Sequence, residues 1–352
     1  MNRSLLPRSV ALLLLVGGTA VLQAQKPAET PATVNEILAW PSPPAPARIK
    51  WIAELRNEYD VGAKKKRSFI DRLAGRSEDI LRLMRPVSVA VDEKGVVFVG
   101  DLGQGIFVLD VGAKKMWNLT RVSGRSMATP TGLAVDSKLL FATDSSSNSF
   151  VSFDKQGRQL GVLGPQEGVK RPVGVAVDEA RDLVVMVNGG DHSVWLMNRS
   201  LKVAKKIGQR GEREGQFNYP TYCCIVPGTG FAVTDSGNFR VQLFDFNGKF
   251  LKAFGKPGDQ SGQFARPKGL AVDADGHLYV VDATFGNFQV FRLDGQVLTF
   301  VGQGGTGRGM FQLPGGIAIA KDGSIYVADQ LNGRVQKFQY LGDPAPVSSS
   351  KG

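Results

Sequence analysis

Cysteine is scarce in this sequence of 352 residues, and its two cysteines, Cys223 and Cys224, are adjacent. Two neighbouring cysteines cannot staple distant parts of a chain, which excludes a disulfide scaffold. In an extended strand, neighbouring side chains point to opposite faces. The pair is therefore predicted to be two free, partly buried thiols.

Long hydrophobic runs are also lacking. The apolar run over residues 10–16 falls far short of the ~20 residues that a membrane span needs. Arg3 and Arg8 precede it, and small residues with cleavage points after Ala20 or Ala24 follow it, which is typical of a secretory signal peptide over residues 1–24. An uncleaved anchor is the alternative. We expect an exported protein, periplasmic or extracellular, whose mature chain has no transmembrane span.

Acidic residues are outnumbered, with 32 Asp and Glu against 43 Lys and Arg, and the net charge is +11. Such an excess favours anionic partners, either a protein or an anionic polymer, through long-range attraction. A role in solubility alone is the alternative interpretation. Export argues against a nucleic-acid partner.

A repeat organises most of the chain. Six segments begin with a proline and run into an apolar strand, and their spacing is 42 to 48 residues. The repeated prolines are Pro86, Pro130, Pro172, Pro220, Pro267 and Pro314. This period suits four short strands joined by three turns, which is one blade of a β-propeller. The sequence therefore predicts an all-β, six-bladed propeller.

The sixth unit ends before a fourth strand, which would leave an unpaired sheet edge. Residues 48–55 precede the first unit and alternate as a strand does, so we expect them to complete the last blade and close the ring. The predicted domains are a Pro/Ala-rich linker over 25–47, the propeller over 48–341 and a flexible tail over 342–352. Residues 66–75 are predicted to form a short helix that bridges the closing strand to the first blade.

The repeats carry a recognisable signature. Residues 326–329 read Tyr-Val-Ala-Asp, and residues 332–338 read Asn-Gly-Arg-Val-Gln-Lys-Phe. Residues 238–244 of the fourth unit read Asn-Phe-Arg-Val-Gln-Leu-Phe. Over about residues 85–340 the chain resembles the NHL-repeat family of six-bladed propellers, in the form of a bacterial exported NHL protein. The resemblance implies the propeller fold, which in this family serves binding platforms, sensor domains and a few lyases, so the fold alone does not choose a function.

Several units depart from the signature, and the departures could mark a working surface. The fourth unit replaces Gly-Leu-Ala by Tyr222-Cys223-Cys224, and the third has Asn188 where the others have aspartate. The recurring aspartates are Asp101, Asp144, Asp235, Asp282 and Asp329. A residue repeated once per blade favours a structural role, accepting turn amides or pairing with a local arginine such as Arg334, over a cation-binding ring of carboxylates.

The glycine-rich connections between units also favour a structural role. Each ends in a phenylalanine, Phe217, Phe264 or Phe311, that we expect to pack between adjacent blades. A phosphate-binding loop would need a helix N-terminus after it, and here a strand follows.

Histidines bear on the question of catalysis. The family that this chain resembles includes amidating lyases, which are metal enzymes with several histidines at the channel. This chain has only two histidines, His192 and His277. One is expected in a turn after the second strand and the other in a turn before it, at opposite ends of the blades, which argues against a shared zinc site or a Ser-His-Asp triad. No cofactor is predicted, and a divalent cation bound by carboxylates is the alternative.

We therefore expect a monomeric, non-enzymatic binding scaffold outside the cytoplasm that presents loops of one propeller face to a protein or polymer. The alternative is a metal-dependent hydrolase or lyase, of the calcium type, with its site at the central channel. The candidate binding residues lie in or beside the turns after the second strands: Asn148, His192, Asn238, Arg240, Asn287, Asn332 and Arg334.

Overall fold

The computed structural model describes residues 38–64, 80–120 and 127–342. The predicted signal peptide, the helix predicted over 66–75 and all but the first residue of the predicted tail lie outside these ranges. No helix within the ranges is long and apolar enough to span a membrane.

The described residues form six antiparallel sheets, which confirms the six-bladed propeller. Blade 1 consists of β3 (Pro86–Val91), β4 (Val97–Asp101), β5 (Gly105–Asp110) and β6 (Lys115–Asn118). Blade 2 consists of β7 (Pro130–Val135), β8 (Leu139–Asp144), β9 (Ser149–Asp154) and β10 (Gln159–Leu163). Blade 3 consists of β11 (Pro172–Asp178), β12 (Leu183–Asn188), β13 (Ser193–Met197) and β14 (Val203–Ile207).

Blade 4 consists of β15 (Pro220–Val226), β16 (Gly230–Asp235), β17 (Arg240–Phe244) and β18 (Phe250–Phe254). Blade 5 consists of β19 (Pro267–Val272), β20 (Leu278–Asp282), β21 (Asn287–Phe291) and β22 (Val297–Val301). Blade 6 contains β23 (Pro314–Ile319), β24 (Ser324–Asp329) and β25 (Arg334–Tyr340). Short 3₁₀ helices occupy Pro165–Glu167, Gly189–Asp191 and Ser236–Asn238.

The predicted closing strand is confirmed. β2 (Ile49–Leu55) pairs antiparallel with β25, with Leu55 opposite Val335, so a strand from before blade 1 completes blade 6. A further short strand, β1 (Ala39–Trp40), pairs with the outer edge of β2. The sheet thus extends into the segment predicted as a linker, because backbone groups at a sheet edge readily pair with an adjacent extended chain.

An ion-pair network fastens the closing strand. The buried guanidinium of Arg334 contacts Glu54 of β2 at 2.6 Å and Asp329 of β24 at 2.7 Å. Burial opposes ionisation of Glu54, but hydrogen bonds and charges from Arg56 and Arg334 outweigh it and lower the pKa of this carboxyl. The two ends of the propeller are therefore joined by charged hydrogen bonds as well as by a ladder.

The first strands of the six blades surround a central channel, each in contact with the next and blade 6 in contact with blade 1. The hydrophobic core lies between neighbouring blades in six clusters. The phenylalanines that end the glycine-rich connections pack between adjacent blades, as predicted. Phe217 lies between blades 3 and 4, Phe264 between blades 4 and 5, and Phe311 between blades 5 and 6.

The surroundings of Gly255 explain why the connections between blades contain glycine. Gly255 has φ +97°, and a Cβ there would lie 2.5 Å from a ring carbon of Phe264. Only glycine combines this backbone conformation with so close an aromatic ring. The connections therefore serve packing between blades.

The cysteines are free and buried, as predicted. Cys223 packs between blades 3 and 4 and Cys224 between blades 4 and 5, because alternate residues of β15 face opposite neighbours. Burial raises the pKa of Cys224 to about 12, so its thiol stays protonated at neutral pH.

Candidate functional site

One end of the ring carries the turns between the second and third strands of every blade, and we call it the turn face. Each first strand begins there, since Pro267 of β19 lies opposite Asp282 at the end of β20. The central channel opens on this face into a cavity of about 650 Å³, which we call the mouth. Every blade contributes to its lining: Val87, Leu102, Thr129, Thr131, Ser145, Ser146, Arg171, Val173, Tyr219, Thr221, Tyr222, Ser236, Arg266, Pro267, Lys268, Leu313, Gly315 and Gln330.

The mouth is electropositive. Its lining contains Arg171, Arg266 and Lys268 and no carboxylate. Within the described ranges, none of these three cations forms an ion pair. Burial, together with repulsion from Arg266, lowers the pKa of Lys268 to about 8. Among the described residues the Lys268 ammonium has no counter-charge, and an anionic ligand would supply one.

Hydroxyl groups hold the mouth together by hydrogen bonds between neighbouring blades. Ser145 donates to the carbonyl of Pro172 at 2.5 Å, and Ser236 donates to the carbonyl of Pro267 at 2.5 Å. Each bond joins the turn of one blade to the first strand of the next. The mouth is consequently held by bonds between blades 2 and 3 and between blades 4 and 5.

Two of the predicted binding residues lie directly behind the mouth. Asn148 accepts a hydrogen bond from the backbone N–H of Arg171 at 2.6 Å, and His192 Nδ1 accepts one from the N–H of Tyr219 at 3.1 Å. Arg171 and Tyr219 have φ of +45° and +48°, a left-handed conformation that non-glycine residues rarely adopt. The side chains of Asn148 and His192 thus stabilise the backbone that presents two mouth residues.

Four other predicted residues fasten the glycine-rich connections. Asn238 and Asn332 donate to the carbonyls of Gly211 and Gly305. Arg240 bonds the carbonyls of Arg213 and Gln216, and Arg334 those of Gly307 and Met310. None of the four lines the mouth. Their direct contact with a partner remains a prediction.

Asn287 takes the place of these arginines in blade 5. Its Oδ1 is buried and has no hydrogen-bond partner within the described residues. It lies at the start of β21 and is likewise absent from the lining of the mouth. The structure therefore brings only Asn148 and His192, of the seven predicted residues, against the mouth.

The recurring aspartates have the structural role predicted for them. Asp282 accepts from the backbone N–H groups of Ala265 and Thr284, and Asp329 binds Arg334. Burial raises the pKa of Asp101, Asp235 and Asp329, although their hydrogen bonds oppose this effect. Asn188 occupies the same position in blade 3. It accepts a hydrogen bond from the Lys170 N–H and donates one to the Gly168 carbonyl. These side chains are committed to the turns rather than to a ring around the channel.

His277 lies in the turn before β20, at the end of blade 5 opposite to the turn face. Its Nδ1 is 3.1 Å from Asp273, which also accepts from the Tyr279 hydroxyl. The histidines thus lie at opposite ends, as predicted. Among the described residues no three His, Cys, Asp or Glu side chains form a cluster suited to a metal ion. The lining of the mouth also contains no carboxylate, the charged oxygen ligand that divalent cations prefer, and its three cations would repel such an ion.

Sequence reasoning missed the mouth cations and Tyr219. A usable signal exists, because Arg171, Tyr219 and Arg266 each directly precede the proline of a repeat and Lys268 directly follows one. Aligning the six units on their prolines places these positions at one end of the first strand. The sequence shows the departure at Tyr222, but it does not show that this side chain points into the channel.

Comparison with known proteins supports the fold. The family model described as NHL repeat matches residues 264–293 and 311–338. A protein of unknown function from Bacteroides thetaiotaomicron is 18% identical with a TM-score of 0.60, covering 74% of this chain and 70% of that one. An auxiliary nutrient binding protein from the same organism is 11% identical with a TM-score of 0.59, covering 74% and 70%.

A virginiamycin B lyase from Staphylococcus aureus is 14% identical with a TM-score of 0.53, covering 73% of this chain and 96% of that one. No curated protein matches the sequence. At these identities the similarity to solved structures concerns the fold alone.

Proposed function

This chain belongs to the NHL-repeat six-bladed β-propellers, and on that premise we propose that it is a non-enzymatic binding scaffold outside the cytoplasm. In this proposal the turn face captures an anionic group of a protein or polymer, and the mouth holds the oxyanion. Arg171, Arg266 and Lys268 supply the charge. Asn148 and His192 act as positioning residues behind them.

The observation that carries the proposal is a concave cavity whose lining holds no carboxylate and three cations that form no ion pair with any described residue. Lys268 is poorly solvated and lies near the exposed Arg266, which opposes folding, since no described residue forms an ion pair with the Lys268 ammonium. A bound oxyanion would compensate both charges. The cavity volume of about 650 Å³ also lies within the usual range of ligand sites.

The fold neighbours do not decide between binding and catalysis, because they include a nutrient binding protein as well as lyases. The proposal therefore depends on the mouth. For the lyase or hydrolase alternative, the described residues offer no metal-ligand cluster at the channel that would favour it.

The proposal is tested with butanesulfonate, an oxyanion whose charge stays constant across the working pH range. We expect saturable binding in titration calorimetry, weakened about tenfold or more by Arg171→Gln combined with Arg266→Gln, because charged hydrogen bonds contribute about 1.5–3 kcal/mol each. The matched control is Arg292→Gln, an exposed arginine in the turn after β21, at the opposite end of blade 5. Equal weakening by the control, or no binding by the wild type, contradicts the site.

Binding should also depend on pH. Because the pKa of Lys268 is lowered to about 8, its ammonium is lost as pH rises above this value, and affinity for butanesulfonate should fall between pH 7 and 9.5. Lys268→Arg, which keeps its charge, should flatten the profile. A wild-type profile that is flat over this range would show that Lys268 does not contact the anion.

A further inference from the structure

The central channel is interrupted by one side chain. The hydroxyl of Tyr222, in the first strand of blade 4, donates to the carbonyl of Val87, in the first strand of blade 1, at 2.8 Å. Blades 1 and 4 are opposite each other in a ring of six. The tyrosine side chain therefore reaches across the channel from wall to wall.

Tyr222 separates two cavities with different chemistry. It lines the electropositive mouth, and it also lines a second cavity of about 200 Å³ deeper in the channel. The deeper cavity is lined by the first strands of the blades, at residues such as Val89, Leu133, Val175 and Ile317, and no charged residue lines it. Without the tyrosine ring, the mouth would continue into this uncharged part of the channel.

The tyrosine is an exception within the repeat. The same position is Ser88 in blade 1 and glycine in the other four blades, namely Gly132, Gly174, Gly269 and Gly316. A Cβ added at Gly174 would meet the backbone of blade 4 at 2.6 Å, so the repeat favours the smallest residue here.

Blade 4 also lacks a hydrogen bond between blades next to Tyr222. Thr143 of blade 2 donates to the Val173 carbonyl of blade 3 at 2.6 Å. The equivalent hydroxyl of blade 4, on Thr234, is buried and finds no partner among the described residues. A buried unpaired hydroxyl opposes folding, because its hydrogen bonds to water are lost and not replaced. A bulky residue at a position built for glycine, next to an unpaired hydroxyl, points to a role other than stability.

We propose that Tyr222 forms the floor of the mouth and determines its specificity, so that the site takes compact oxyanions with a short apolar part and excludes long-chain amphiphiles. The inference rests on the proposed anion site. It adds that the ligand enters and leaves by the turn face and does not thread the channel.

The test compares butanesulfonate with decanesulfonate on the full-length protein. We expect the affinity ratio of decanesulfonate to butanesulfonate to rise about tenfold or more in Tyr222→Gly, because each methylene that leaves water for the deeper cavity strengthens binding by up to about fourfold. Tyr222→Ser, which copies the residue of blade 1, should behave alike and serves if the glycine variant folds poorly. Tyr222→Phe keeps the ring and should keep the wild-type ratio.

The outcomes separate the two proposals. If the wild type binds neither sulfonate, the anion site itself is wrong and the inference falls with it. If butanesulfonate binds but the ratio is the same in the wild type, Tyr222→Gly and Tyr222→Ser, the site stands and the floor is wrong. If the affinity ratio of decanesulfonate to butanesulfonate rises as much in Tyr222→Phe as in Tyr222→Gly, the aromatic ring is not the barrier.

Discussion

Replacing Arg334 by methionine is expected to lower the free energy of unfolding by about 3–5 kcal/mol, the typical cost of breaking a buried ion pair from one side. Arg334 is 1% exposed, and its guanidinium bonds Asp329, Glu54 and two backbone carbonyls. The substitution leaves the carboxylate of Asp329 buried without its charged partner. It also removes the bond that fastens the closing strand to blade 6.

Arg240 provides the matched control, because it occupies the same position in blade 4. It bonds Asp235 at 2.9 Å and two carbonyls of the preceding connection, but no closing strand, and its side chain is 16% exposed. We expect Arg240→Met to cost about 1–3 kcal/mol, less than Arg334→Met although Asp235 is also buried, because Arg240 is partly exposed and has no counterpart of the bond to Glu54. Urea unfolding followed by circular dichroism measures both variants. Equal costs for the two substitutions would show that the contact with Glu54 adds nothing to ring closure.

The sequence was sufficient for the architecture because the signals that determine it are local and repeated. Each proline marks the start of a first strand, and the missing fourth strand of the last unit required a donor elsewhere in the chain. Residues 48–55 had the right alternation, and β2 is that donor. The same reasoning assigned Asp329 and Arg334 to each other, since the two lie five residues apart across one turn.

The mouth could not be predicted in the same way, because its cations come together only when the ring closes. Arg171 and Lys268 are far apart in sequence and belong to blades 3 and 5, which do not adjoin. The repeat pattern indicates only the turns after the second strands as candidate binding positions. Asn148 and His192 do lie in or beside such turns, but their side chains bond the backbone of Arg171 and Tyr219 rather than line the cavity.

The loss of positive charge at position 268 should change stability and binding in opposite directions. Lys268→Met is expected to raise the free energy of unfolding at pH 7 by about 3 kcal/mol, since one pKa unit corresponds to about 1.4 kcal/mol and the pKa of Lys268 is lowered from its ordinary value of 10.5 to about 8. Burial and the neighbouring Arg266 disfavour the ammonium, and a methionine of similar length removes that penalty. The same variant should bind butanesulfonate about tenfold more weakly or worse.

The pH dependence of this stability difference has a definite sign. With a folded-state pKa below that of the unfolded chain, the folded protein releases its proton first, so wild-type stability rises as pH increases above about 8. The methionine variant lacks this increase. Its advantage should therefore be largest at pH 7 and shrink towards pH 10, as measured by urea unfolding of both proteins at each pH.

Lys268→Thr removes the charge together with the length of the side chain, whereas Lys268→Met removes the charge alone. Threonine stands at the equivalent position of blades 2 and 4, as Thr131 and Thr221. Lys268→Thr should also weaken binding while sparing the fold. A Lys268→Met protein that is less stable than the wild type at pH 7 would mean that the ammonium already has a compensating partner. In that case the mouth does not hold an unpaired charge for a ligand, and the cation that distinguishes blade 5 has a structural role.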